Sequence, residues 1–186
     1  IAFREIANDG FDWVITMDQD SKFVNGAIDL MKSYIENCDN NVGIVAPSTD
    51  EKKKNEIDNE DVVLMSGNFV RVDYIKQFGG FDERYFIDCV DHEFCLRMRR
   101  NGYKIVKLGN ARLIHSLGTP KTKTILFMKF SWLDHSPLRR YYISRNRRLL
   151  CKEFSHDFPQ FCGYQRFLLF RDNIKIVLLE DDKKER

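Results

Sequence analysis

The chain has 186 residues, 43% hydrophobic and 31% charged, with 15 Phe in a 13% aromatic share; this suits one domain with an appendage and excludes a disordered, collagen-like or low-complexity polymer. Thirty Lys and Arg stand against 28 Asp and Glu, a net of +2, which removes any whole-chain polyelectrolyte case for nucleic acid. The charge is uneven, with 12 basic and 7 acidic residues from Leu138 to Arg186 and 18 against 21 before them, so an acidic body carries a basic tail.

In chain order, Ile1 to Ala7 reads as a short helical end stopped by Asn8-Asp9-Gly10, and Phe11 to Met17 as an apolar strand running out onto Asp18-Gln19-Asp20-Ser21. Asn25 is expected to cap a helix through about Asn37, because Ile28, Met31, Tyr34, Ile35 and Cys38 recur on one face. Val42 to Ala46 is a second buried strand ended by Pro47. Strand, helix, strand is a crossover unit of the kind that builds parallel sheets with helices on both faces, so the expected class is α/β. The charged run from Ser48 to Glu60 predicts a surface loop. Val62 to Met65 predicts a strand, Asp73 to Phe78 a short helix ended by Gly79-Gly80, and Asp91 to Asn101 a helix stopped at Gly102. Tyr103 to Leu108 and Ala111 to His115 read as strands. Helices are expected over Lys123 to Leu133, Pro137 to Phe154 and Phe158 to about Leu179. No run of about 18 apolar residues and no charged-then-apolar leader is visible, which points to the cytosol. Cys38, Cys89, Cys95, Cys151 and Cys162 form no C-x-x-C pair and read as reduced, packed thiols.

Four groups of residues carry chemical interest. Asp18 and Asp20 close an apolar strand, and in open α/β sheets ligands bind beyond the carboxyl ends of the strands. Paired carboxylates there suit Mg²⁺ or Mn²⁺, whose shell substrate phosphates complete; the bland alternative is a turn closing the strand. Asp91-His92-Glu93 opens a helix, where an acid serves either as a cap or as a functional carboxylate. The aromatic and acidic loop Glu83 to Asp88 precedes it, and such groups suit the apolar faces and hydroxyls of a sugar. His115 ends a strand as a candidate ligand for a metal or donor to phosphate. Arg97 lies four residues after Glu93 and can pair with it, while Arg99, Arg100, Arg139, Arg140, Arg145, Arg147 and Arg148 read chiefly as a solvated face.

In this order, Asp12-Trp13-Val14-Ile15-Thr16-Met17-Asp18-Gln19-Asp20-Ser21, Ser66-Gly67-Asn68, Gly79-Gly80-Phe81-Asp82-Glu83, Phe86 to Arg97, Gly102-Tyr103 and His115-Ser116-Leu117-Gly118 resemble family 2 glycosyltransferases of the GT-A fold, in the bacterial rhamnosyltransferase-like branch. Arg140-Tyr141-Tyr142 and Arg145-Asn146 resemble a segment that follows in that branch. The resemblance implies a GT-A-like (Rossmann-like) mixed sheet flanked by helices, with a helical C-terminal tail. It implies residues 1–118 as the metal-motif and acceptor half and 119–186 as a helical extension.

By the same resemblance, Asp20 and His115 would hold Mg²⁺ or Mn²⁺, Asp18 and Asp20 would meet the donor, and Asp91 would be the catalytic base of an inverting transfer. Gly67, Asn68, Glu93 and Arg97 would lie on the acceptor side. A nucleotide-sugar donor, with dTDP-rhamnose expected, and a glycan or lipid-linked acceptor in cell-surface polysaccharide synthesis would be the partners. Relatives carry a nucleotide-binding half ahead of the metal motif, while 17 residues precede Asp18 here, so a fragment prone to self-association as a homo-oligomer is expected. Competing readings are a sugar-phosphate nucleotidyltransferase and a non-catalytic assembly module. The Arg139 to Arg148 stretch is read either as a peripheral contact with an anionic inner-membrane face or as a helix packed on the domain; nucleic acid is not an expected partner.

Overall fold

The computed structural model describes residues 2–6, 9–50, 56–115, 121–125, 128–132 and 135–179. They fall into two compact units, Ile1–Asp82 with Asp91–Ser116, and Glu83–Val90 with Leu117–Arg186. Residues 51–55 of the charged run, the Ser116-Leu117-Gly118 motif and the expected 118/119 boundary lie outside the described residues.

The first unit is a mixed sheet covered on both faces. A one-turn helix α1 (Ala2–Ile6) precedes strands β1 (Trp13–Thr16) and β2 (Ser21–Phe23), helix α2 (Ala27–Asn37), and strands β3 (Val42–Ser48), β4 (Ile57–Asn59) and β5 (Asn68–Arg71). Helix α3 (Val72–Phe78), helix α4 (Val90–Arg100) from its second residue on, and the long strand β6 (Lys104–His115) complete the unit. The strand order is β1-β5-β3-β6-β2, with β4 also on β6. β3 and β6 run parallel; the other pairs of this sheet are antiparallel.

Because strand side chains alternate between faces, neighbours along each strand enter different cores. Ile44, Ala46, Val70 and Ile105 pack with Tyr74, Ile75, Phe94, Cys95 and Met98 beneath α3 and α4. Val45, Phe69 and Val106 pack with Ala27 and Met31 beneath α2, with Ile28, Tyr34, Ile35 and Cys38 at its margin. All seven residues of β3 are buried, as a strand covered on both faces requires.

Several elements depart from the sequence expectations. Gly26, at φ 82°, occupies the N-cap of α2, and no side chain caps it, so Asn25 is not the cap. Val62 to Met65 is not a strand; it carries Val63 and Met65 into the core, and the strand begins at Asn68 once Gly67, at φ 79°, has turned the chain. Ile57–Asn59, within the predicted surface loop, pairs antiparallel with Val106–Leu108. The two strands expected over 103–115 are one strand, continuous through Gly109.

The second unit contains a 3₁₀ turn (Glu83–Tyr85), a hairpin of β7 (Lys121–Ile125) and β8 (Met128–Trp132), and helices α5 (Pro137–Phe154) and α6 (Pro159–Leu179). The hairpin replaces the helix expected over Lys123 to Leu133. Thr122, Thr124, Ile125, Phe130 and Trp132 are β-branched or aromatic, types that extended pairing suits and a helix penalises. α5 starts where Ser136 Oγ accepts the Arg139 amide, with Pro137 in the first turn. Its buried residues Arg140, Ile143, Asn146, Leu150 and Phe154 line one face.

Most α5 arginines are engaged within the unit rather than forming a solvated face. Arg139 holds the Asp88 carboxylate at 3.0 and 3.1 Å, Arg140 is buried, Arg145 donates to the Arg84 carbonyl at 2.9 Å, and Arg147 meets Asp172 at 2.8 Å. No disulfide forms among the described residues, and four of the five thiols are buried.

Candidate active site

β1 ends at Thr16, and the chain turns so that the Asp18 carbonyl accepts the Ser21 amide at 3.3 Å. Ser21 opens β2, which pairs with the end of β6 in a register that sets Ser21 opposite His115. That register joins residues 94 positions apart. It brings His115 Nδ1 to 3.5 Å from Asp20 Oδ1, and one donor atom each from Asp18, Asp20 and His115 lies within 4.8 Å of the other two. Both acids are exposed and His115 is half-buried.

A chain of hydroxyls supports the cluster. Ser66 Oγ accepts the Asp18 amide at 3.1 Å and donates to Ser21 Oγ at 2.7 Å, which in turn sits 2.8 Å from His115 Nδ1. The segment bearing Ser66 is tied to the end of β1: the Gly67 amide donates to the Thr16 carbonyl at 2.7 Å, and Thr16 Oγ1 donates to the Met65 carbonyl. From the other side, the Met65 amide donates to Asp91 Oδ2 at 3.2 Å. Adjacent residues 65 and 66 therefore touch Asp91 and Asp18, which lie 73 positions apart in sequence. Sequence assigns no role to Ser21 or Ser66; their places in the D-x-D-S and S-G-N runs were the only signal.

The remaining site candidates, Gly67, Asn68, Glu93 and Arg97, make structural contacts. Asn68 is buried, and its amide nitrogen donates to the Leu64 carbonyl at 2.7 Å, bracing the bend. A Cβ on Gly67 would sit 2.9 Å from Leu113 Cδ1 and 3.0 Å from Pro47 Cγ, so glycine serves packing and backbone conformation here. Glu93 is buried and accepts two bonds from Arg97, at 2.7 and 3.1 Å.

Arg97 also donates to the carbonyls of Phe78, Gly79 and Gly80 at 2.7, 3.4 and 2.6 Å. It thereby satisfies the open C-terminal end of α3, with its guanidinium over Phe94 at 5.4 Å. Burial draws the Arg97 pKa down, but the hydrogen bonds and charge of Glu93 outweigh it and leave it raised. This pair forms an internal brace behind Asp91. Ahead of Asp91, Asp88 and Cys89 both adopt φ 63°, a left-handed conformation that costs about 1–2 kcal/mol per L-residue. In their own unit, the Asn146 amide holds the Ile87 and Asp88 carbonyls at 2.7 and 2.9 Å.

A cavity of about 240 Å³ adjoins the acid cluster, sharing Ser66 and His115 with it and lined also by the polar Ser48, Thr49, Asp50 and Lys107 and the apolar Ala46, Pro47, Val62, Val63, Leu64 and Leu113. Two carboxylates and an imidazole within this spacing fit one small divalent cation, and the mixed polar and apolar lining beside them fits a ligand that carries both hydroxyls and apolar faces. No protein-family model matches the chain. A curated relative, the dTDP-rhamnosyl transferase RfbF of Shigella flexneri, is 28% identical over 176 residues, covering 82% of this chain and 58% of the relative. The chain thus spans less than two thirds of that protein's length.

Proposed function

We propose that this chain is part of a glycosyltransferase that moves a sugar, rhamnose being the favoured candidate, from a nucleoside-diphosphate sugar to a hydroxyl of a glycan or lipid-linked acceptor. The observation carrying this reading is the cluster of Asp18, Asp20 and His115, with the Asp18 backbone amide bonded to Ser66 and the Asp91 carboxylate bonded to the amide of the adjacent Met65. Similarity to a rhamnosyl transferase at 28% identity supports the same class. The carboxylate and imidazole donors suit Mn²⁺ somewhat better than Mg²⁺, whose partners are nearly all oxygens. Such an ion, when bound, supplies a Lewis acid that stabilises negative charge on the departing diphosphate.

The chain's own residues would do the rest. Asp91, one carboxylate oxygen steadied by the Met65 amide, takes the proton from the acceptor hydroxyl as that oxygen bonds to the anomeric carbon. The bond from that carbon to the diphosphate oxygen breaks on the opposite face, which inverts the configuration. Ser66 and Ser21 hold the Asp18 backbone and the His115 ring, so little reorganisation is needed when donor arrives. Asp91 sits in the first turn of α4.

The test uses the full-length protein with dTDP-rhamnose and Mn²⁺. Asp91→Asn should lower kcat by about 10²–10⁴-fold with donor affinity unchanged, and Asp20→Ala should weaken Mn²⁺ binding, read by calorimetry, by at least about tenfold. Normal turnover in the Asp91 variant, or unchanged Mn²⁺ affinity in the Asp20 variant, overturns the assignment.

A further inference from the structure

Helix α6 is apolar on two sides. Its inner side carries the buried Cys162 and Gln165, with Leu168, Leu169 and Ile176 half-buried. Its outer side carries Tyr164, Phe167, Phe170, Ile174 and Val177, which are 42–64% exposed. Their spacing of three, three, four and three residues is one helical stripe, about 20 Å long at 1.5 Å per residue. Isolated exposed apolar residues are ordinary, but five aligned ones mark an interaction surface.

Charge indicates what that surface meets. Exposed Arg166 and Arg171 flank the stripe. Asp172, the one acid in α6, is half-buried and bonded to Arg147 at 2.8 Å and Arg171 at 3.0 Å. Among the described residues, the outer face therefore presents aromatic and aliphatic groups edged by guanidinium groups and no carboxylate. A second copy docked there would set these arginines against their own kind. An anionic lipid surface complements both features, since aromatic and aliphatic side chains seat at the headgroup boundary while arginines reach lipid phosphates. No helix among the described residues is long and apolar enough to cross a membrane, which fits a helix lying in the surface plane.

We propose that the outer face of α6 is a peripheral membrane-binding surface selective for anionic bilayers, with Tyr164, Phe167, Phe170, Ile174 and Val177 seated in the interface and Arg166 and Arg171 at its edges. The surface differs from the Arg139 to Arg148 stretch suggested by sequence, most of whose arginines are engaged within the unit. It shares no residue with the candidate active site and stands whether or not that reading does.

The test is co-sedimentation of the full chain with vesicles of phosphatidylcholine alone and of phosphatidylcholine with about 30% phosphatidylglycerol. Binding is expected to the anionic vesicles and to fall as salt rises. Phe167→Ser/Phe170→Ser should lower partitioning about 100-fold with circular dichroism unchanged, since both rings are already exposed. Should that variant misfold, Arg166→Glu tests the same surface and should weaken binding to anionic vesicles about fivefold or more. Equal binding to both vesicle types, undiminished binding by the folded variants, or a wild-type dimer that Phe167→Ser/Phe170→Ser converts to monomer would each overturn the proposal.

Discussion

Replacing Arg97 by Met removes a cation from a site where five hydrogen bonds converge. Two go to Glu93, which is 1% exposed, and three to carbonyls at the end of α3. Methionine keeps much of the apolar stem and loses the guanidinium, which lies over Phe94 and Tyr74, so the loss is chiefly electrostatic. Removing one partner of a buried ion pair costs about 3–5 kcal/mol, because the other charge stays in the interior. For a chain of this size that is a fall in Tm of about 6–20 °C, at roughly 2–4 °C per kcal/mol. Glu93→Gln should cost about 1.5–3 kcal/mol, since the amide keeps an acceptor oxygen but loses the charge. The double variant should cost less than the two singles together, with a coupling of about 1–3 kcal/mol. Urea denaturation of the four proteins measures each corner of the cycle. Single costs under about 1 kcal/mol, or additive effects, would refute the view that this pair is the brace behind Asp91.

Gly67→Ala should cost about 2–5 kcal/mol: about 1–2 for an L-residue at positive φ and about 1–3 for the overlap with Leu113 and Pro47. Calorimetry showing a Tm within about 2 °C of wild type would contradict it. Alkaline pH should destabilise the fold. Burial pushes the Cys95 thiol up to about 12 and also raises the Tyr74 phenol, so both keep protons in the fold that the unfolded chain releases from about pH 8.5 and 10. Their contribution is complete below about pH 8.5 and is lost as pH climbs toward 12, by about 1.4 kcal/mol per pH unit for each group released; urea midpoints that stay level from about pH 8 to 11 would contradict it.

Features that depend on near neighbours were legible along the chain. Apolar spacing marked α2, and a helical pattern from Pro137 to Phe154 marked α5; both came within a residue or two of their observed bounds. Strand, helix, strand in that order implied the α/β class, because a right-handed crossover leaves few other arrangements. The acids at 18, 20 and 91 stood out by residue type and by ending a strand or opening a helix. The Glu93–Arg97 pair was legible because four residues is one helical turn, although its burial was not.

Which distant groups meet depends on how the strands and helices pack. His115 reaches Asp20 through the β2–β6 register, a contact between strands that no local pattern encodes. Ser66 joins Asp18 to His115 because the bend at Gly67 delivers its hydroxyl there, and serine has no sequence pattern that announces such a task. The hairpin over 121–132 and the pairing of Ile57–Asn59 escaped for the same reason: strand pairing takes its energy from a partner elsewhere in the chain. The two faces of α6 were hidden too, since its sequence is apolar nearly all round. Which side is covered depends on where α5 lies, and that is a property of packing.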